Sequence, residues 1–365
     1  METKIIELIG PGPHIHWGLP IVQDIFFTGI STGAFVLAAL VYGFNNRRLA
    51  PLGRLALIVS LVSLLAALLN LIADLHQPGR FASLFWRMHA TSPMTWGLFL
   101  LNAFLLLLAV QLFFVLRADY RDQTKNEGDD RVVRLLALIG LPLALLVHAY
   151  SGYILGVVKA SPLWHSPILP LVFLAAAMVR GLALMILLAG LLLRNQPGEL
   201  PGDLLDALAV LLAWAIAANL VLRLFWYTIG MAYSTAPARE AALLLFGPSF
   251  SAATIVEITL GLVVPLIVMG LAPLRRIRPL FFGAALAATV GVWFFRWQLV
   301  IAGQLLPKTG AGFSHYEPSF WGSTGIMHVL GNFAFWILLM IVLTWILPWQ
   351  EPQSSHDHAL RTKGA

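Results

Sequence analysis

The sequence contains no cysteine. That absence excludes cysteine-ligated iron–sulfur clusters, covalent haem held through a CxxCH motif, and every disulfide. Redox work by this chain would need a diffusible or non-covalent carrier, or one held by a partner. Charge is scarce as well: 11% of the 365 residues are charged, against 59% hydrophobic. With a mean hydropathy of +0.84, an ordinary soluble domain is excluded. There is no Gly-rich phosphate loop and no Gly-x-Ser-x-Gly nucleophile motif. No basic run is interleaved with aromatics in a soluble segment, so nucleic acid is not an expected partner. Residues 1–16 are too short and too polar for an apolar signal-peptide core, and the first span is expected to be retained.

What is present is a series of apolar stretches long enough to cross ~30 Å of hydrocarbon, about 20 residues each. They fall at about 17–44, 52–74, 93–117, 133–158, 168–194, 204–231, 251–273, 279–303 and 322–348. Leu100 to Leu116, rich in Leu, Ala and Phe, lacks the alternation of a membrane β-strand. The fold class is therefore all-α, a polytopic membrane bundle of about nine transmembrane helices. Residues 1–348 form one transmembrane domain and 349–365 a polar cytoplasmic tail. Lys and Arg concentrate in alternate loops, at Arg47, Arg48 and Arg54, at Arg117 to Arg134, at Arg194, and at Arg275, Arg276 and Arg278. The positive-inside rule then puts the N-terminus outside and the C-terminus inside, in the cell inner (cytoplasmic) membrane. The net charge of +6 reports this topology and contact with membrane lipid. The inside loop 118–132 and the tail read as solvated surface. The outside loops 75–92, 159–167, 232–250 and 304–321 are rich in aromatics, which suit either an interfacial belt or the docking of an outside subunit.

Eight ionisable side chains lie at or within the spans: Asp24, Asp74, His148, Arg180, Arg223, Glu257, Arg296 and His328. Each costs roughly 2.5–3.5 kcal/mol to insert, so such residues usually mark a site or a pathway. Nearly all fall in the outer half. At 1.5 Å per residue, Asp24 lies roughly 6–10 Å below the outer edge, while Arg180 is nearest the midplane. Single residues of this kind can also be structural glue: Arg223 with Glu257 could simply satisfy each other, and Arg223, Glu257, Arg296 and His328 could equally be a structural network in the second half, apart from Asp24, Asp74 and His148. Gly29 and Gly33 in the first span offer a small-xxx-small contact surface.

Only two histidines, His148 and His328, lie within spans, whereas a di-haem cytochrome needs four axial ligands, so haem is not expected. Asp24, Asp74, His76 and His148 could converge on a metal, but no short-range spacing supports it. Quinone chemistry fits better. It needs donors or acceptors for two ring oxygens, an apolar slot, and groups that exchange protons near neutral pH. Asp24, Asp74, His148 and Tyr150 supply these types near one interface.

Several stretches carry a family likeness, two of them distinctive. Asp74-Leu-His-Gln-Pro-Gly-Arg-Phe81, followed by Ser92-Pro-Met-Thr-Trp-Gly97, resembles the signature of the polysulfide reductase membrane subunit (NrfD-like) family. Gly29-Ile-Ser-Thr-Gly-Ala-Phe35 is similar to the family's Gly-x-x-x-Gly stretch. His148-Ala-Tyr-Ser-Gly152, Glu257 with Pro265, and Tyr316-Glu-Pro-Ser319 look like the branch of hydrogenase-2-type membrane subunits. One departure is His76-Gln77, where relatives often have Gly-Arg. The resemblance implies a subunit without haem that exchanges electrons between the quinone pool, menaquinone or ubiquinone, and an outside iron–sulfur subunit joined to a further catalytic subunit. It also implies a quinone site near the outer face, within 14–165.

The expectation is thus a quinone-reactive subunit that is inactive alone. Asp24 and His148 handle quinol protons, Tyr150 and Asp74 orient the head group, and Arg80 with Trp164 lie near the entrance; His76 is a further candidate contact. Arg180 could begin an inward proton path. The rival readings are an ion- or proton-translocating subunit, which predicts a midplane site with unwound helices, and a non-catalytic membrane anchor.

Overall fold

The computed structural model describes residues 17–75, 77–120, 127–193, 202–232, 235–247, 250–305, 316, 319–321 and 325–350. Candidate residue His76 and the tail from 351 lie outside the described residues. The helices are α1 (Leu19–Tyr42), α2 (Gly53–Asp74), α3 (Pro93–Tyr120), α4 (Glu127–Gly156), α5 (Leu169–Leu192), α6 (Gly202–Tyr227), α7 (Ala236–Phe246), α8 (Ser251–Gly270), α9 (Arg278–Leu305) and α10 (Ile326–Ile346). All but the short α7 belong to spans long and apolar enough to cross a membrane, nine among the described residues, at the places the sequence indicates. The chain is a multi-pass integral membrane protein.

Two segments differ from the sequence reading. Solvated loop was expected from 118 to 132, yet α3 continues to Tyr120 and α4 already begins at Glu127. Glu127, Asp129 and Asp130 occupy the first turn of α4, where carboxylates offset the exposed N–H groups and the positive end of the helix dipole. Asp129 also pairs with Arg117 in the last turn of α3 at 3.3 Å. The connection 232–250, read as loop, holds the 11-residue α7. Pro237 lies in its first turn, where a missing N–H costs nothing.

Helix α1 is the axis of the bundle. In its apolar window 83% is buried, against 28% in α3 and 22% in α10, which turn most of their surface to lipid. It packs on α2, α4, α5, α9 and α10. Lipid is as apolar as leucine, so helices in a membrane associate through close contact and polar links rather than through water exclusion. The closest contact is between α1 and α5, where a side chain at Gly33 would collide with the Ala177 carbonyl oxygen and the Gly181 Cα. A second close crossing pairs Gly261 of α8 with Gly291 of α9. There α8 passes through a π turn, Thr259–Val263, one of two among the described residues; the other, Thr228–Ala232, follows α6.

Polar links join α2 to α10 in three rungs. The His328 ring donates through Nε2 to Asn70 Oδ1 at 3.0 Å, Asn332 Nδ2 donates to Ala66 O at 3.4 Å, and Trp336 Nε1 donates to Ser63 Oγ at 2.9 Å. These residues recur at helical spacing on one stripe of each helix. His328, grouped by sequence with the charges of the second half, is thus tied instead to α2. Near the opposite face Arg54 Nη1 donates to the carbonyls of Pro348 and Gln350, at 2.9 and 3.0 Å, fixing the end of α10 against the start of α2.

Candidate functional site

Because successive spans run in opposite directions, Asp24 near the start of α1 shares a membrane face with Asp74 at the end of α2. The second half of α4, the first half of α5, the end of α6, the start of α8 and the end of α9 bring His148, Arg180, Arg223, Glu257 and Arg296 to that same half. At 1.5 Å per residue Asp24 lies roughly 8 Å from the beginning of α1, and Arg180 roughly 17 Å from the beginning of α5.

This polar group is built on the Gly29-x-x-x-Gly33 stretch of α1. Gly33 lets α5 approach, and the missing side chain at Gly29 leaves the volume that the Arg180 guanidinium occupies. Arg180 is fully buried, lies 5.7 Å from the Phe26 ring, and donates through Nη2 to His148 Nε2 at 2.6 Å. Arginine has no acceptor, so the imidazole must present its lone pair at Nε2 and carry its proton at Nδ1 if neutral; this tautomer follows from the hydrogen bond. Arg180 Nε and Nη1 have no partner. Asp24, 8% exposed, accepts from Thr28 Oγ1 at 3.3 Å and lies within electrostatic reach of both Arg180 and Asp74.

Tyr150 completes this group, within reach of Asp24. Its hydroxyl donates to the Pro93 carbonyl at 2.8 Å, and its ring fills the space left by the missing side chain of Gly97. The Ser92 to Gly97 motif therefore serves as a seat that fixes the α4 tyrosine against the start of α3. Asp24, Asp74, His148 and Tyr150 are thus neighbours in space, drawn from three helices. Arg80 is exposed on the α2–α3 connection. Trp164 lies apart, 5% exposed, in the α4–α5 loop. Its Nε1 donates to Leu299 O at 2.7 Å and its ring stacks on Trp17 at 5.4 Å, so the indole is committed to holding that loop on α9. Among the described residues no group of three or more His, Cys, Asp or Glu side chains could hold a metal ion.

Sequence reasoning missed the role of Arg180 as the direct partner of His148. The available signal was Gly29, a side-chain void in an apolar helix at the depth where α5 carries an arginine. It also treated the charges of the second half as a separate set. There Arg223 Nη1 donates to both oxygens of Glu257, at 2.8 and 2.7 Å. Arg296 stacks on Phe173 at 3.7 Å and donates to its carbonyl at 3.4 Å. That same residue sits against His148, with ring centroids 5.6 Å apart. The two groups of charges therefore meet at Phe173, in one polar layer running from α2 through α1, α4, α5 and α9 to α6 and α8.

Comparison with known proteins matches this arrangement to a family. A selenate reductase subunit of Mesobacillus selenatarsenatis is 28% identical over 335 residues, covering 83% of this chain and 77% of that protein. A tetrathionate reductase subunit of Salmonella typhimurium is 29% identical, covering 94% and 95%. The Hdr-like menaquinol oxidoreductase integral membrane subunit of Archaeoglobus fulgidus is 25% identical, covering 82% and 74%. The likeness to the hydrogenase-2 branch is weaker, at 24% identity to the probable Ni/Fe-hydrogenase 2 b-type cytochrome subunit of Escherichia coli. The model of the family described as polysulphide reductase, NrfD, matches residues 7–308, which takes in α1 to α9 and every charge of the buried layer, and the chain belongs to that family.

Proposed function

We propose that this chain is the quinone-reactive membrane subunit of a respiratory oxidoreductase complex. The observation that carries the reading is the enclosed group of Asp24, Arg180 and His148, with Tyr150 and Asp74 beside it, close to one membrane face. Among the relatives, one is a menaquinol oxidoreductase subunit and two are reductase subunits, which supports both quinol as the substrate class and a multi-subunit setting. The charge asymmetry of the loops makes the pocket face the outside of the inner membrane. An iron–sulfur subunit docked there, joined to a further catalytic subunit, takes the electrons, since this chain has no cysteine to hold a cluster of its own. Menaquinone and ubiquinone fit the pocket chemistry equally.

Oxidation of a quinol releases two protons and two electrons. The electrons pass to the partner, and the protons need acceptors in the pocket. Asp24 is one, held by Thr28 within the field of Arg180. His148 is the other, through the Nε2 lone pair that now accepts from Arg180, so Arg180 must release that bond for the imidazole to take a proton. The unpartnered Nε and Nη1 of Arg180 then suit a ring oxygen. Tyr150 and Asp74 orient the head group, Arg80 meets its approach from the α2–α3 connection, and Trp164 contributes through the wall it packs, since Leu299 occupies its N–H. The chain is inactive alone.

The test is quinol-linked turnover of Asp24→Asn in the assembled complex. The amide keeps the shape and loses the base, and general-base catalysis contributes typically ~10²–10⁴-fold. A loss of that order is expected. Turnover equal to the unmodified complex would make the chain a non-catalytic anchor.

A further inference from the structure

Arg223 and Arg296 are both buried, and their guanidinium groups share one aromatic ring: the Cζ atoms lie 3.5 and 5.1 Å from the Phe295 centroid. One carboxylate, Glu257, accompanies them, and Arg223 holds it through Nη1 alone. Arg223 Nε and Nη2, the pair that forms a two-pronged grip, have no hydrogen-bond partner. Neither have Arg296 Nε and Nη1, nor Nε1 of the buried Trp226. Guanidinium and indole nitrogens can only donate. On that face of α6 the acceptors one turn to either side of Arg223 are Asn219 Oδ1, which has no partner, and the Tyr227 hydroxyl, which lies within reach of Arg223, too few for five donors.

Charge is out of balance in the same place. Two cations share Glu257, and a third, Arg180, lies within electrostatic reach of Arg296 while having Asp24 as its own counter-charge. Buried donors are almost always satisfied, and buried charges are almost always paired. Water would supply the acceptors but not the charge. Both π turns begin within five residues of Arg223 or Glu257, at Thr228 and Thr259, and such turns often reshape a helix around a ligand.

We propose that Arg223 and Arg296 hold a small monovalent anion of the halide class, gripped by the Nε–Nη2 edge of Arg223 and by Arg296. The enclosure of the cluster limits the ligand to a few atoms. This site is separate from the quinol pocket, and a failure of the Asp24→Asn test leaves it standing.

The probe is bromide. Full-length protein purified in chloride is exchanged into bromide at constant ionic strength, and its crystals are measured at the bromine absorption edge. In parallel, the thermal midpoint is followed as chloride replaces gluconate, for the unmodified protein and for Arg296→Gln. The expected results are an anomalous peak between Arg223 and Arg296 and a saturable rise in midpoint, with at least tenfold weaker chloride dependence in Arg296→Gln. Arg296→Lys, which keeps the charge, serves where the glutamine variant does not fold, and is expected to keep a saturable response with weakened affinity. The absence of both peak and saturable response in the unmodified protein makes the acceptor water and overturns the proposal. An equal chloride response in the unmodified protein and in the variants is a general salt effect and overturns it too.

Discussion

Two glycines four residues apart on α1 should fail in different ways when each becomes alanine. At Gly33 the new methyl meets the Ala177 carbonyl oxygen and the Gly181 Cα, backbone atoms that move only if α5 moves. Overpacking of that kind costs about 1–3 kcal/mol. At Gly29 the methyl meets only the far end of Arg180, which can swing away. The helix itself gains about 1 kcal/mol from losing a glycine, so the fold of Gly29→Ala should be nearly unchanged. What it loses is the placement of Arg180, whose unpartnered Nε and Nη1 suit a ring oxygen of the quinol. A hydrogen bond to a charged group contributes about 1.5–3 kcal/mol. If the transition state relies on that contact with the ring oxygen, kcat/KM for quinol falls roughly 10- to 100-fold. The assay pairs quinol-linked turnover of the assembled complex with the thermal midpoint of the same preparation. Unmodified turnover in Gly29→Ala, or a larger loss of stability than in Gly33→Ala, would refute the placement of Arg180 at the reacting group.

Two further outcomes follow from the geometry. Glu257→Ala removes the one carboxylate shared by the buried Arg223 and Arg296 and should destabilise by about 3–5 kcal/mol; replacing Arg223 by methionine in the same chain should recover only part of the midpoint, because Arg296 keeps its charge, and full recovery would mean that Arg296 does not share Glu257. Trp164→Phe keeps an aromatic ring against Trp17 but removes the indole's hydrogen bond to the Leu299 carbonyl, which remains inside α9, a cost of about 0.5–1.5 kcal/mol. Its KM for quinol should stay unchanged within measurement error, and a large rise would place the indole ring against the substrate.

The spans were legible because ~30 Å of hydrocarbon imposes one rule on every segment that crosses it, and runs such as Leu100 to Leu116 obey it openly. Local polar neighbours such as Asn70 with Asp74 were legible through helical spacing. Pairing across helices was not. Nothing in the order of residues says that Arg180 turns to His148 rather than towards the opposite face, or that His328 bonds Asn70, 258 positions earlier. The start of α4 was misplaced because charged residues that look solvated also cap helices well. The cut between first-half and second-half charges had a similar origin, since Phe173, an apolar residue with no sequence signal, is where they meet.

The ladder between α2 and α10 also constrains how the protein is made. Asn70, Ser63 and Arg54 enter the membrane early in synthesis, but their partners at positions 328, 336, 348 and 350 follow 258 or more residues later. Until then α2 carries polar groups whose distant partners the nascent chain does not yet hold, and lipid offers them no substitute. Helix α10 is therefore a completion signal for α2. A chain truncated before α10 presents an unzipped α2 to the machinery that surveys the membrane, and one that includes it closes the seam between α2 and α10.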